Sequence, residues 1–135
     1  MAAAGAAITV AQSTTFKPAN IPKGEKQKEL IRNALKENVV FSTLTDDEMN
    51  AIVNAMQPHS ERPGSNTIYQ GEDGDYFYIV EKGLFTILVD GESKGHLEYG
   101  SSFGELALMF HAPRAATIRA DTSADLFKLD RVTFR

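Results

Sequence analysis

Cysteine is absent from this 135-residue sequence, which excludes disulfides, zinc–thiolate sites and thiol nucleophiles. Its three histidines, His59, His96 and His111, lie far apart and form neither an H-x-H nor an H-E-x-x-H pair. The sequence therefore predicts no metal site and no cysteine-dependent enzyme.

Positive charge is also scarce, with 14 Lys and Arg against 18 Asp and Glu and a formal net charge of −4. Nucleic-acid binding normally needs a basic stripe that neutralises several phosphates, and the sequence has none. A small anion is different, because one arginine can hold it at contact distance while distant charges are screened beyond about 8–10 Å. We therefore expect no nucleic-acid partner, but an anionic ligand is compatible with this composition.

Long apolar runs are missing as well, since none approaches the roughly 20 residues of a membrane span. The Ala-rich start, Met1 to Ile8, has no basic region before it and is soon followed by Gln12 to Thr15, which argues against a secretory signal. Residues 1–24 are predicted to be a flexible tail or linker, because Pro18 and Pro22 break any regular pattern. A cytoplasmic protein with no membrane partner is expected.

Two helices are predicted after this tail. Leu30, Ile31, Ala34 and Leu35 fall on one face at helical spacing. A second helix begins at Thr45, where Thr45-Asp46-Asp47-Glu48 has the pattern of a capping box, and ends at Pro58. Its apolar stripe consists of Met49, Ile52, Val53 and Met56.

Beyond Pro58 the apolar period changes to two. Short strands are predicted at 67–70, 76–80, 84–89, 94–97, 115–120 and 124–129, with a loop at 99–102. Asp90-Gly91 is a strong hairpin signal, and the tight loop from Gly71 to Asp75 contains two glycines, Gly71 and Gly74, able to take positive φ. Many short strands with turns between them indicate a sandwich or small barrel, so the fold class is α+β.

The segment from Phe103 to Thr117 does not fit a plain β-meander. Residues 105–110 are mostly good helix formers, enough for about one and a half turns, and Pro113 stops the helix. A short helix between strands exposes its first amides, which with the helix dipole favour an anion. Gly104 lets the backbone approach that anion, and Arg114 can offer it a bidentate fork.

Glu105, in the first helical turn, can accept hydrogen bonds from a sugar hydroxyl. Taken singly, Glu105 would more often only stabilise the helix dipole, Arg114 would be a solvated arginine and His111 a surface residue. Their ordered combination favours a site that binds phosphate at one end and ribose at the other.

This segment resembles the phosphate-binding cassette of cyclic-nucleotide-binding domains, through F-G-E-L-A-L followed by P-R-A-A-T. Within that family it is most similar to regulatory subunits of cAMP-dependent protein kinase, and the resemblance extends from about residue 25 to residue 135. It departs from the kinase pattern at His111 and Ala112, on the tip of the cassette. The resemblance implies a jelly-roll-type β-barrel with N-terminal helices and a short inserted phosphate-binding helix.

The resemblance also implies roles at matched positions. Glu105 would take the ribose 2′-hydroxyl and Arg114 the cyclic phosphate, while Asp75, supported by Gly74, would be linked to Arg114. Ala115 favours cAMP over cGMP, because cGMP-dependent kinases usually have threonine there. Backbone contacts would come from Gly104, Leu106, Ala107 and Ala115, and walls near the base from Ile87 and Val89.

These expectations define a cAMP-binding regulatory module rather than an enzyme. The domain would span 25–135 and stop before its C-terminal lid helices, and the full-length protein would have a kinase catalytic subunit as partner. Alternatives are a sensor domain of a cGMP-dependent kinase, channel or transcription factor, a metal-dependent cupin enzyme, or an interaction domain with another ligand. A cupin would need clustered His and Glu ligands, which this sequence lacks.

Overall fold

Helices and two β-sheets make up the computed structural model, which describes residues 21–109 and 112–131. The predicted tail up to residue 20, residues 110–111 at the cassette tip and residues 132–135 lie outside the described residues. The helices are α1 Glu25–Glu37, α2 Asp46–Ala55 and α3 Leu106–Met109, with a short 3-10 helix at Val39–Phe41.

Both predicted N-terminal helices are confirmed. The buried face of α1 consists of the four predicted residues from Leu30 to Leu35. At the start of α2, the Glu48 amide donates to Thr45 Oγ1 at 3.1 Å, and the Thr45 amide donates to Glu48 Oε1 at 2.8 Å. This reciprocal capping box satisfies two donors that a helix start would otherwise leave without partners. The helix ends at Ala55, before the predicted end at Pro58.

In the part of the chain that the structure describes, eight strands form two four-stranded antiparallel sheets, in the orders β1-β8-β3-β6 and β2-β7-β4-β5. This order is that of a jelly roll, so the predicted topology is confirmed. The strands are β1 Gln57–Glu61, β2 Asn66–Ile68, β3 Tyr76–Lys82, β4 Phe85–Val89, β5 Glu92–Leu97, β6 Ser102–Phe103, β7 Thr117–Ala120 and β8 Ala124–Asp130.

The two sheets of this jelly roll are not closed into a continuous barrel, because no strand pair joins them within the described residues. Two of the edge strands are short, since β6 has two residues and β2 has three. The β4–β5 pairing also shifts register between Ile87 and Leu88, which twists that edge. The architecture is therefore a sandwich of two sheets.

Two hydrophobic clusters form the core. One lies between the helices and the outer face of the first sheet, and contains Phe41, Phe77 and Phe127 together with apolar side chains of α1 and α2. The other lies between the two sheets and contains Phe85 and Phe103. The helices therefore brace one sheet, and the second cluster holds the opposing sheet over it.

Local sequence signals predict the turns more accurately than they predict the edge strands. At the β4–β5 hairpin, Asp90 and Gly91 have φ of 53° and 82°, as expected for the tight turn that this pair favours. The polar strand β1, which pairs along its length with β8, is absent from the sequence prediction, and Ser102 of β6 falls in the predicted loop at 99–102. Within the described residues, no helix is long and apolar enough to span a membrane.

Candidate functional site

A cavity of about 340 Å³ opens between the second sheet and the cassette segment. Its lining comes from two stretches of chain, 102–107 and 112–116, and from four apolar side chains of β2, β4, β5 and β7. These four are Ile68, Ile87, Leu97 and Ile118. The cassette predicted from sequence therefore forms one wall of a cavity whose other wall is hydrophobic.

Gly104 and α3 shape the polar end of this cavity. Gly104 has φ of 83°, a conformation that side chains with a Cβ rarely adopt. The first bonds of the following turn run from the Ala107 amide to the Gly104 carbonyl and from the Leu108 amide to the Glu105 carbonyl, both at 3.1 Å. The amides of Glu105 and Leu106 precede these donors, so they belong to the helix start that an anion can bind.

The backbone of Arg114 is tied to the loop between β2 and β3. Its amide donates to the Glu72 carbonyl at 2.8 Å, and its carbonyl accepts from the Gly71 amide at 2.9 Å. An isolated β-bridge between Asp73 and Pro113 adds to this contact. The glycine loop and the end of the cassette, about forty residues apart in sequence, thus form one small antiparallel unit.

The side chain of Arg114 is half-buried at the cavity wall, and its Nη2 donates to the Tyr76 carbonyl at 2.8 Å. Burial lowers the pKa of Arg114 from its ordinary value, while Tyr78, Asp75 and Glu105 oppose that shift. The guanidinium stays charged, because its ordinary pKa lies above about 12. A half-buried cation with a neutral carbonyl as its hydrogen-bond partner favours an incoming anion.

The two glycines of the loop play different parts. Gly71 has φ of 88°, as predicted, whereas Gly74 is outside the positive-φ region. A Cβ built on Gly74 would overlap the Cζ and Nε atoms of Arg114. Gly74 therefore leaves space for the arginine rather than giving the loop an unusual backbone conformation.

The expected link between Asp75 and Arg114 is replaced by another ion pair. Asp75 Oδ1 lies 3.1 Å from Nη2 of Arg131, and the Arg131 amide donates to the Asp75 carbonyl at 2.9 Å. This backbone bond places the Arg131 guanidinium beside the carboxylate, while Arg114 turns to the Tyr76 carbonyl. Asp75 contributes to the field at Arg114 without being its hydrogen-bond partner.

Sequence reasoning did not single out Arg131. Besides Asp75, it contacts α3, because its Nη1 donates to the Ala107 carbonyl at 3.4 Å. It thus joins the start of β3, the end of β8 and the cassette helix. Nothing in the local sequence indicates this, since all three contacts depend on long-range packing.

Most predicted site residues do line the cavity. The predicted residues in the cavity lining are Gly104, Glu105, Leu106, Ala107, Arg114, Ala115 and Ile87. Val89 is not among the lining residues, because it lies at the hairpin end of β4, paired with Glu92. The alternation of buried side chains could have indicated Ile118, but Ile68 and Leu97 come into place only through sheet pairing.

Tyr78 lies behind Arg114, with 6% of its surface exposed, and its ring stacks on Phe103 at a centroid distance of 5.0 Å. Burial raises the pKa of Tyr78 to about 12, although the charge of Arg114 acts against this rise. Phe103 directly precedes Gly104, so this stack supports the segment that enters the polar end of the cavity.

Metal ligands do not cluster in the described ranges 21–109 and 112–131, where no three His, Asp or Glu side chains could hold an ion together. The polar groups of the cavity include the Arg114 cation, the Glu105 carboxylate, the Ser102 hydroxyl and backbone amides. Such a set fits an anion that carries hydroxyl groups.

Comparison with known proteins agrees with the family resemblance found in the sequence. The family model of the cyclic nucleotide-binding domain matches residues 58–135. The chain is 42% identical over 120 residues to a cAMP-dependent protein kinase regulatory subunit from Blastocladiella emersonii, covering 85% of this chain and 30% of that protein. It therefore spans about a third of the length of this curated relative.

The fold of the chain is similar to that of many solved structures. The chain is similar to cAMP-bound PfPKA-R, with a TM-score of 0.79 and 37% identity, over 88% of this chain and 44% of that one. It is also similar to the regulatory subunit of a cAMP-independent protein kinase A from Trypanosoma cruzi bound to guanosine. That second match has a TM-score of 0.75 and 27% identity, and covers 87% of this chain and 42% of the other.

Tyr78 generates a prediction about alkaline pH. Its phenol ionises at about 12 in the folded protein and at the ordinary value of 10.0 in the unfolded chain, so folding favours the protonated form. This contribution to the free energy of unfolding is complete below the unfolded pKa and is lost as pH rises through the folded pKa. Urea unfolding should show that Tyr78→Phe loses less stability than the original protein between about pH 9 and about pH 12. Equal losses would contradict the assignment.

Proposed function

This chain belongs to the family of cyclic nucleotide-binding domains, and we propose that it binds cAMP and works as a regulatory module of a cAMP-dependent protein kinase. One observation carries the proposal. The half-buried guanidinium of Arg114 lies at the wall of the same cavity as Glu105 and the apolar side chains of the second sheet. A volume of about 340 Å³ is within the range of small-molecule sites.

In this proposal the cyclic phosphate binds at Arg114. Its planar fork can hold two phosphate oxygens, and each charge-assisted hydrogen bond contributes about 1.5–3 kcal/mol net. The amides at the start of α3 complete the anion site. The phosphate carries a single negative charge, which the single positive charge of Arg114 neutralises.

The sugar and the base would then occupy the rest of the cavity. Glu105, partly buried and acting on Arg114 through its charge, accepts the hydrogen bond of the ribose 2′-hydroxyl. The base lies against the apolar wall of Ile87 and Ile118. Burying such a wall gives about 25 cal/mol per Å² of apolar area, so the base adds affinity while the polar groups fix orientation.

The regulatory part of the proposal concerns the full-length protein. There, cAMP binding relieves inhibition of a kinase catalytic subunit, in line with the regulatory subunits to which this chain is similar. A ligand shifts such an equilibrium only by its different affinity for two states. Arg131 connects the cavity wall to the end of β8, because its guanidinium contacts Asp75 and the carbonyl of Ala107, which lines the cavity. The chain itself acts as a binding module and carries out no reaction.

The phosphate contact is tested by two substitutions at Arg114. Arg114→Ala should lower cAMP affinity by about 100-fold or more, because the phosphate would be desolvated with only amides as partners. Arg114→Lys should be nearly as harmful, since lysine keeps the charge but cannot make the planar two-point contact. Fluorescence or calorimetric binding would measure both.

Arg119→Ala is the matched control, because Arg119 lies on β7 outside the cavity lining and pairs with Asp121. All three variants should melt within a few degrees of the original protein without ligand. Only the Arg114 variants should lose the stabilisation by cAMP. If Arg114→Ala binds cAMP unchanged, the ligand is held elsewhere and the site assignment is wrong.

Glu105 is tested with a modified ligand. Glu105→Gln should weaken cAMP, and removal of the 2′-hydroxyl should matter much less on the variant than on the original protein, because the lost partner is the same. Binding of cAMP and 2′-deoxy-cAMP to both proteins completes the cycle, with Glu98→Gln as an exposed control. Additive losses would mean that Glu105 only stabilises the start of α3.

Ala115 is tested through the choice of base. It lines the cavity and has no hydroxyl to meet a guanine amino group, so cAMP should bind more tightly than cGMP. Ala115→Thr should raise cGMP affinity relative to cAMP, by about tenfold if one hydrogen bond is gained. Competition binding measures the ratio. Tighter binding of cGMP to the original protein would overturn the proposed base preference.

A further inference from the structure

Two glycines flank the guanidinium of Arg114. A Cβ on Gly74 would overlap the Cζ and Nε atoms and lie 2.8 Å from Nη1. A Cβ on Gly104 would lie 2.6 Å from Nη1 and 2.8 Å from the Tyr76 carbonyl oxygen. Real Cβ atoms essentially never come this close to other heavy atoms. The Arg114 guanidinium therefore occupies a space that exists only because positions 74 and 104 are both glycine.

The two glycines are not equivalent. Gly104 has φ of 83°, so a substitution there would strain the backbone whatever the space. Gly74 lies outside the positive-φ region, so its backbone conformation does not favour glycine in the same way. At Gly74, the crowding in the immediate surroundings comes from the guanidinium of Arg114.

We propose that Gly74 is a positioning residue for the anion site: its missing side chain sets where the Arg114 guanidinium lies, and therefore whether the arginine can bind a cyclic phosphate. The inference rests on the proposed function. It adds a residue that does not line the cavity and acts only through Arg114. It also gives the loop between β2 and β3 a role in ligand affinity.

The physical consequence of adding a methyl group follows from what it would meet. The guanidinium is the end of a flexible side chain, so it can swing away more readily than backbone could. Its movement would break the 2.8 Å bond to the Tyr76 carbonyl. The Arg114 backbone, held by Glu72 and Gly71, would stay in place. A displaced arginine on an intact fold is the expected result.

The test is the variant Gly74→Ala. Its affinity for cAMP should fall by about 10- to 100-fold, the loss expected when a bidentate charged contact is removed. Its melting temperature without ligand should stay within a few degrees of the matched control Gly24→Ala. Gly24 also lies outside the positive-φ region, and a Cβ there would meet only Gln27 Oε1 at 3.9 Å. The control accounts for the general cost of replacing a glycine, and it adds the smaller cost of changing the N-cap of α1, which is Gly24.

A double variant separates action through Arg114 from a general disturbance of the loop. Gly74→Ala combined with Arg114→Ala should bind cAMP no more weakly than Arg114→Ala alone, because the group that Gly74 positions is already gone. Additive losses would show that Gly74 acts by another route and would overturn the inference. If Gly74→Ala alone fails to fold, the double variant should recover the fold; its failure to do so would equally overturn the inference.

This inference and the proposed function fail in different ways. Normal cAMP binding by Gly74→Ala, with weak binding by Arg114→Ala, would reject the positioning role and leave the proposed function standing. Normal binding by Arg114→Ala would reject the proposed site itself. Weak binding by both single variants, with no further loss in the double variant, is the result that we expect.

Discussion

The whole site depends on holding one positive charge in a half-buried position. Taking a guanidinium out of water costs free energy unless hydrogen bonds or an opposite charge compensate. In this structure the neutral Tyr76 carbonyl supplies the hydrogen bond, and Asp75 and Glu105 supply negative potential at a distance. A phosphate at Arg114 would complete this compensation, and for that reason the cavity favours an anion over a neutral ligand.

The jelly roll brings together the segments that this charge requires. Arg114 lies near the end of the cassette, whereas its partners Glu72 and Tyr76 lie in the loop between β2 and β3 and at the start of β3. β2 pairs with β7 and β3 pairs with β8, so the sheets carry the loop and the end of the cassette to the same edge of the sandwich. The apolar wall comes from the second sheet, and the helices brace the first. Fold and site are therefore linked through a few backbone hydrogen bonds.

Local patterns predicted the parts of the structure that local energetics decide. The capping box at Thr45, the Asp90-Gly91 turn and the short helix after Gly104 all depend on residues a few positions apart. Strand β1 was missed, because its sequence Gln57 to Glu61 is polar and becomes a strand only by pairing with β8.

Long-range contacts also account for the differences at the site. The pairing of Asp75 with Arg131 and the close approach of Arg114 to Gly74 each join elements distant in sequence. Sequence similarity indicated which residues belong to the cassette. It could not indicate that Gly74 is needed for the space that it leaves and not for a positive φ. That role depends on where the Arg114 guanidinium lies in the folded chain.

The most direct test of the account is calorimetric titration of this chain with cAMP and with adenosine, which has the same base and sugar but no phosphate. A relative of similar fold is known with guanosine bound, so the fold alone does not decide between nucleotide and nucleoside. If the charge of Arg114 dominates the site, cAMP should bind one molecule per chain and adenosine at least about 100-fold more weakly. Equal affinities, or tighter binding of adenosine, would contradict the account.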